Sequence, residues 1–202
     1  MRNVFIRAIW GIVFVTAVSS GRAENLCFNG SFDHEEDPLK GWNYDYAWTE
    51  NEYYKDNASH VEFLKMFDGK RNVVAVTDFH GDFGEGRIES KPIPYDHESR
   101  LRCTLDIRGP GSLRLYFAGY KWRPGIRPHD DPELKELRKI YKSHAWVGNP
   151  GKAWKRISFE VPMKDISKMA KKHLRHVRFW TVYIYVVEGD AYVDNVKVVR
   201  IN

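Results

Sequence analysis

An all-β fold, an antiparallel β-sandwich with one or two short helical insertions, is what this sequence predicts. Three observations lead there. Apolar and polar residues alternate over many short stretches. Gly, Pro and Asp turns separate those stretches, and a helical period shows in only two places.

The elements follow in chain order. Residues 1–23, "MRNVFIRAIWGIVFVTAVSSGRA", have a positive start at Arg2 and Arg7, an apolar run too short to span a bilayer comfortably, and a small-x-small ending at Gly21 and Ala23. They read as a secretory signal peptide, which places the remainder in a secreted or periplasmic setting. The competing reading is a retained membrane anchor. Without these residues the net charge falls from +5 to +2, because the segment holds three arginines and no acid. Basic residues are scattered, with no long cationic run to point to nucleic acid. Residues 24–202 form one domain, large enough for a real core and undivided by any linker or repeat.

"RNVVAVTDF" (71–79) is β-branched and bounded by Gly69 and Gly81. "SRLRCTLDIRG" (99–109) sets Leu101, Cys103, Leu105 and Ile107 against polar partners. "SLRLYFAGYKW" (112–122), "AWKRISFEVP" (153–162), "VRFWTVYIYVV" (177–187) and "AYVDNVKVVRI" (191–201) alternate in the same way. Between them, "DDPELKELRKIYK" (130–142) has Asp131 as N-cap, Pro132 at the first helical position, early glutamates, late lysines, and Leu134, Leu137 and Tyr141 on one face. It predicts an amphipathic helix inside an insert spanning about 123–150. "KDISKMAKKHL" (164–174) predicts a second short helix or a turn. Cys27 and Cys103 both lie in strand-like stretches; they form either a disulfide, which an oxidising compartment permits, or two buried thiols.

Four stretches carry a family resemblance. "NLCFNGSFD" (25–33) has an Asn-Leu, an Asn-Gly turn, then Phe and an acid; "DPLKGW" (37–42) ends on Gly-Trp. "WKRISFEVP" (154–162) and "GDAYVDNVKVVRI" (189–201) complete the set. In this order they resemble the galactose-binding-like jelly-roll carbohydrate-binding modules, CenC-like and of families 4, 9 and 22. The resemblance covers nearly all of residues 24–202. It implies a jelly roll with a concave outer face that carries the ligand, an oligosaccharide or polysaccharide. It also implies a structural calcium pinning the first strand to the last, with Asp33 and Asp194 as ligands; Ca²⁺ takes several carboxylate and carbonyl oxygens. Asn195 stands where many members carry a second acid.

Sugar recognition needs flat apolar faces beside groups that bond hydroxyls. Aromatics gather in three places. Trp42, Tyr44, Tyr46 and Trp48 occupy alternate positions. Tyr116, Tyr120 and Trp122 oppose the inward Leu113, Leu115 and Phe117. Tyr183 and Tyr185 oppose Val182, Ile184 and Val186. The candidate binding residues are therefore Trp48, Tyr116, Tyr120, Trp122, Arg123, Trp146, Tyr183 and Tyr185, with Trp146 closing the face from a loop. The competing reading has the insert lying across this face, with the aromatics holding it there. A non-catalytic role is expected. Tyr120, Lys121, Arg123, Arg127 and His129 form the best catalytic cluster, yet match no defined motif. His173 and His176 lack the remaining ligands of a helical zinc site. An extracellular protein-interaction or structural domain, or a small polysaccharide lyase or hydrolase, are the alternatives.

Overall fold

The alternating stretches are strands, and they pair into two antiparallel sheets. The computed structural model describes residues 24–44, 60–77, 86–162 and 168–201. The strands are β1 (Trp42–Asn43), β2 (His60–Phe67), β3 (Lys70–Thr77), β4 (Gly86–Ser90), β5 (Ile93–Pro94), β6 (Arg100–Gly109), β7 (Ser112–Trp122), β8 (Leu137–Gly148), β9 (Gly151–Val161), β10 (Phe179–Glu188) and β11 (Asp190–Ile201). One sheet runs β1-β4-β10-β7-β8, with β5 also pairing β10; the other runs β2-β3-β11-β6-β9.

Their inner faces make one core, as period-2 alternation requires. From the first sheet come Ile88, Leu113, Leu115, Phe117, Trp180, Val182 and Ile184; from the second come Val74, Val76, Leu101, Leu105, Ile107, Val193 and Val198. Cys27 and Cys103 join this cluster, both as free buried thiols and not as a disulfide. Burial pushes Cys27 up to about 12, against a smaller opposing hydrogen bond from Ser90. Burial first, and then proximity to Cys27, raises Cys103 as well.

The amphipathic helix expected over 130–142 does not form. A 3-10 turn, Leu134–Glu136, leads into β8, which pairs along β7 from Trp122↔Leu137 to Leu113↔Gly148. The reason lies in two irregularities of that pairing, at Gly119/Tyr120 and Leu115/Tyr116. At the first, Tyr120 pairs with Lys139 and Gly119 with Tyr141, leaving Ile140 as an extra residue. Ile140 and Tyr141 both pack on the inner core, while Leu137 belongs to the cluster on the other face. A bulge breaks strict alternation, and the resulting spacing imitates a helical one. The insert thus shrinks to a loop before the turn. The second expected helix is present as α1, Lys168–Leu174, within the described residues.

The opening stretch closes the sandwich by hydrogen bonds. Leu26 N donates to Val198 O at 2.8 Å and Val196 N to Gly30 O at 2.8 Å. The Asn25 side chain donates to Val196 O at 3.1 Å and accepts from Val198 N at 2.8 Å. Asn29 donates to Pro38 O and Lys40 O and accepts from His34 N, which folds the loop that ends at Trp42. Trp42 is buried on Phe32 at 5.1 Å and donates its indole N–H to Asn29 O.

Candidate functional site

On β7 and β10, alternation points one side chain in two away from the core. Register then sets these outward residues beside one another. Tyr183 lies opposite Tyr116 on one side and Glu89 on the other; Tyr185 lies opposite Arg114 and Arg87. Tyr120 lies opposite Phe179 and Lys139. The outer face of the first sheet thus brings together Tyr116, Tyr120, Trp122, Tyr183 and Tyr185, as the sequence predicted. A second hydrophobic cluster forms there, including Phe179, Leu134 and Leu137.

The rings are not bare. Tyr116, Tyr120 and Tyr183 are only 4–5 % exposed. Lys139 Nζ stands 4.4 Å from the Tyr183 ring centre and 5.3 Å from that of Tyr120. Lys142 Nζ stands 5.1 Å from Tyr183 and 5.3 Å from Tyr116. Tyr183 and Tyr185 lie nearly parallel, 6.2 Å apart. At the end of the face Trp122 meets Phe179 edge-on at 5.3 Å, and His129 at 5.0 Å.

Polar residues here that escaped the sequence reading include Glu89, Arg87, Thr181, Lys139 and Lys142. Glu89 is fully buried and Arg87 is 1 % exposed. One Glu89 oxygen accepts from Tyr120 OH and from Thr181 Oγ1, each at 2.6 Å; the other is 3.6 Å from Lys139 Nζ. Burying a carboxylate in a sheet face is costly unless charge and hydrogen bonds compensate it. "GRIES" is too short to betray this by pattern; a charged residue on either side of Ile88 is the only signal.

The other candidates fall elsewhere. Trp146 lies within β8, opposite Leu115, and packs on the inner core, so it does not close the tyrosine face. The residue-level cause is the second bulge of β8, which turns Trp146 inward. Arg123 donates its Nε to Leu137 O at 3.0 Å, clamping the entry to β8. Trp48, like Tyr46, lies outside the described residues. The catalytic cluster of 120–129 disperses: Tyr120 turns to Glu89, while His129 sits on Trp122 and 3.2 Å from Glu136. His173 and His176 are exposed. A separate cavity of about 350 Å³ opens beside β1 and β4, between Phe28, Trp42, Lys91 and Leu134.

Asp33 and Asp194 do not fit a calcium site. Asp33 is exposed, whereas Asp194 is 4 % exposed and already engaged. Asp194 Oδ1 accepts from Asn195 N at 2.6 Å, and Oδ2 accepts from Lys70 Nζ at 2.9 Å and Asn195 Nδ2 at 2.8 Å. Lys70 also donates to Asp106 at 2.5 Å, and Arg156 grips Asp106 with two N–H groups at 2.8 and 3.0 Å. Two cations thus balance the two carboxylates. Among the described residues no group of three or more His, Cys, Asp or Glu is placed to hold a metal. Burial alone would raise the Asp106 carboxyl; the bonds from Arg156, Lys70 and Asn195 outweigh it and hold it well below the usual range.

No protein-family model matches the chain, and no curated protein matches it either. Solved structures do. The CBM22-1 xylan-binding domain of Paenibacillus barcinonensis Xyn10C superposes with a TM-score of 0.50 and 7% identity, over 89% of this chain and 96% of that one. The CBM22-1–GH10 modules of Clostridium thermocellum xylanase 10B, complexed with xylohexaose, match at 0.50 and 13% identity, over 88% of this chain and 28% of theirs. The enzymatically active domain of tailspike protein 4 of bacteriophage CBA120 matches at 0.50 and 11% identity; this chain spans about a fifth of its length, 21%. The chain therefore has the jelly-roll β-sandwich fold found in carbohydrate-binding modules.

Proposed function

We propose that this chain binds an oligosaccharide or polysaccharide through the outer face of β4, β10, β7 and β8. The observation that carries the reading is that face itself: five aromatic residues in register with a buried Glu89 and Arg87. Aromatic rings with a few fixed polar groups are what a saccharide site requires. The xylan-binding neighbour, nearly all of whose length this chain covers, supports the same reading. Export belongs to the proposal, with residues 1–23 as the signal peptide. A structural calcium does not, since Lys70 serves the carboxylate assigned to it.

The test is retention on immobilised polysaccharides and affinity electrophoresis. Tyr185 and Trp122 are the partly exposed aromatics of the face. Tyr185→Ala and Trp122→Ala should each weaken binding about tenfold, the size of one lost stacking contact of about 1–1.5 kcal/mol, with the fold intact by circular dichroism. No retention on any polysaccharide would shift the reading to a protein-binding or structural domain.

Catalysis is a second reading with one observation behind it: Glu89, Tyr120 and Lys139 form a compact group on the proposed binding face. It predicts new reducing ends or unsaturated products from a bound polysaccharide, abolished in Glu89→Gln. Inverting and retaining hydrolysis both use two carboxylates; among the described residues of this face Glu89 is the buried one, and Glu188 is exposed at the end of β10 opposite Ser112.

A further inference from the structure

We infer that the ligand of this face is an acidic glycan, one that carries uronate carboxylates or sulfate esters. The inference rests on the saccharide reading above and goes beyond it in naming the charge of the ligand.

The argument starts from what covers the rings. A neutral pyranose stacks by laying its C–H face on an open aromatic surface. Here that surface is occupied. Lys139 Nζ lies over Tyr183 and Tyr120, and Lys142 Nζ lies over Tyr183 and Tyr116. An ammonium above an aromatic ring is held by the ring quadrupole. For a neutral sugar to stack on these tyrosines, both ammonium groups would have to leave two rings each. An anionic sugar needs no such displacement. Its carboxylate or sulfate meets the ammonium groups where they already stand.

The charge of the face points the same way. Its described residues include four cations, Arg87, Arg114, Lys139 and Lys142, against two carboxylates, Glu89 and, exposed at the end of β10, Glu188. Glu89 is turned into the sheet, where Tyr120 and Thr181 hold it and Lys139 stands within 3.6 Å. It thereby holds Tyr120 and takes up part of the Lys139 charge, while Lys142 adds a second ammonium over the rings. Lys142 is exposed and Lys139 partly so. The sequence alone hides this arrangement: Lys139 and Lys142 read there as the late lysines of a helix, and only the pairing of β8 with β7 sets them over the tyrosines.

The test compares the full chain with two double variants against four soluble polymers: polygalacturonate, chondroitin sulfate, arabinoxylan and a mixed-linkage β-glucan. Lys139→Gln/Lys142→Gln removes the two ammonium groups of the face. Lys152→Gln/Lys155→Gln removes the same charge from exposed positions on β9, in the other sheet. Affinity is read by calorimetry at low salt and again near about 0.15 M, where screening over about 8 Å weakens exposed charge pairs. The expected result is binding to polygalacturonate, chondroitin sulfate or both, weakened about tenfold or more by salt and by the face variant, and unchanged by the β9 variant. Polygalacturonate alone would identify uronate as the group recognised, chondroitin sulfate alone the sulfate ester. Binding to a neutral polymer only, indifferent to the face variant, would overturn the acidic ligand and leave the saccharide reading standing. Equal losses in both double variants would mean general attraction to a basic protein and would overturn the assignment to this face. No binding to any of the four would overturn both readings.

Discussion

Single residues in this protein act mostly as charge balancers. Asp106 and Asp194 face each other directly across β6 and β11, a pairing that like charges disfavour. Lys70, reaching over from β3, bonds both, and its ammonium lies 4.7 Å above the Trp154 ring. Removing one partner of such a set leaves uncompensated buried charge. Lys70→Met should therefore cost about 3 kcal/mol in urea unfolding, while a calcium chelator should leave the wild-type midpoint where it was. The pH dependence follows from Asp106, whose folded carboxyl titrates below its unfolded value. The folded state then binds fewer protons. Its contribution is present above the unfolded pKa of about 3.9 and is lost as pH falls toward the lower folded value. Unfolding midpoints below about pH 4 should fall less steeply in Asp106→Asn than in the wild type.

At the scale of elements, the N-terminal segment is joined to β11 over the irregularity between Asp194 and Lys197. Asn195 there has a positive φ of 52°, a conformation asparagine tolerates. The approach is close enough to need glycine: a Cβ on Gly30 would stand 1.9 Å from Val196 O. Gly30→Ala must push the segment off β11, and should lower stability by about 3 kcal/mol, with selective loss of amide protection at Leu26 and Val196 in hydrogen exchange. Strand β8 shows how an element can be misread. Its residues satisfy both a helical and a strand reading, and ten backbone partners along β7 decide between them. Isolated helix formation over so short a segment is weak, so tertiary pairing wins.

For the whole molecule, the two sheets share one core with the free thiols of Cys27 and Cys103 inside it. Burial holds both as thiols far from the reactive thiolate. A thiol reagent at neutral pH should therefore label neither residue in the folded protein, and both together once urea unfolds it; labelling of one before the other would show that the core opens in parts. The same whole-molecule geometry puts polar work on both outer faces. One carries the balanced Lys70, Asp106, Asp194 and Arg156 network, and the other the lysine-capped tyrosines.

What the sequence determined by itself was the sandwich, most of its strands, and the outward row of Tyr116, Tyr120, Trp122, Tyr183 and Tyr185. Alternation of side chains is a local property of an extended chain, so it can be read without knowing what pairs with what. The closure of the N-terminal stretch onto the last strand was legible too, though not its means: the Asn25 side chain and the backbone of Leu26 and Gly30 make the bonds observed to β11, while Lys70 of β3 holds Asp194. Only the tertiary structure decided that residues 137–148 are a strand, that Trp146 turns inward, and that Glu89, Arg87, Lys139 and Lys142 belong to the tyrosine face. Each of these depends on register between strands far apart in sequence, and a bulge shifts register by one residue without leaving any mark in the residues themselves.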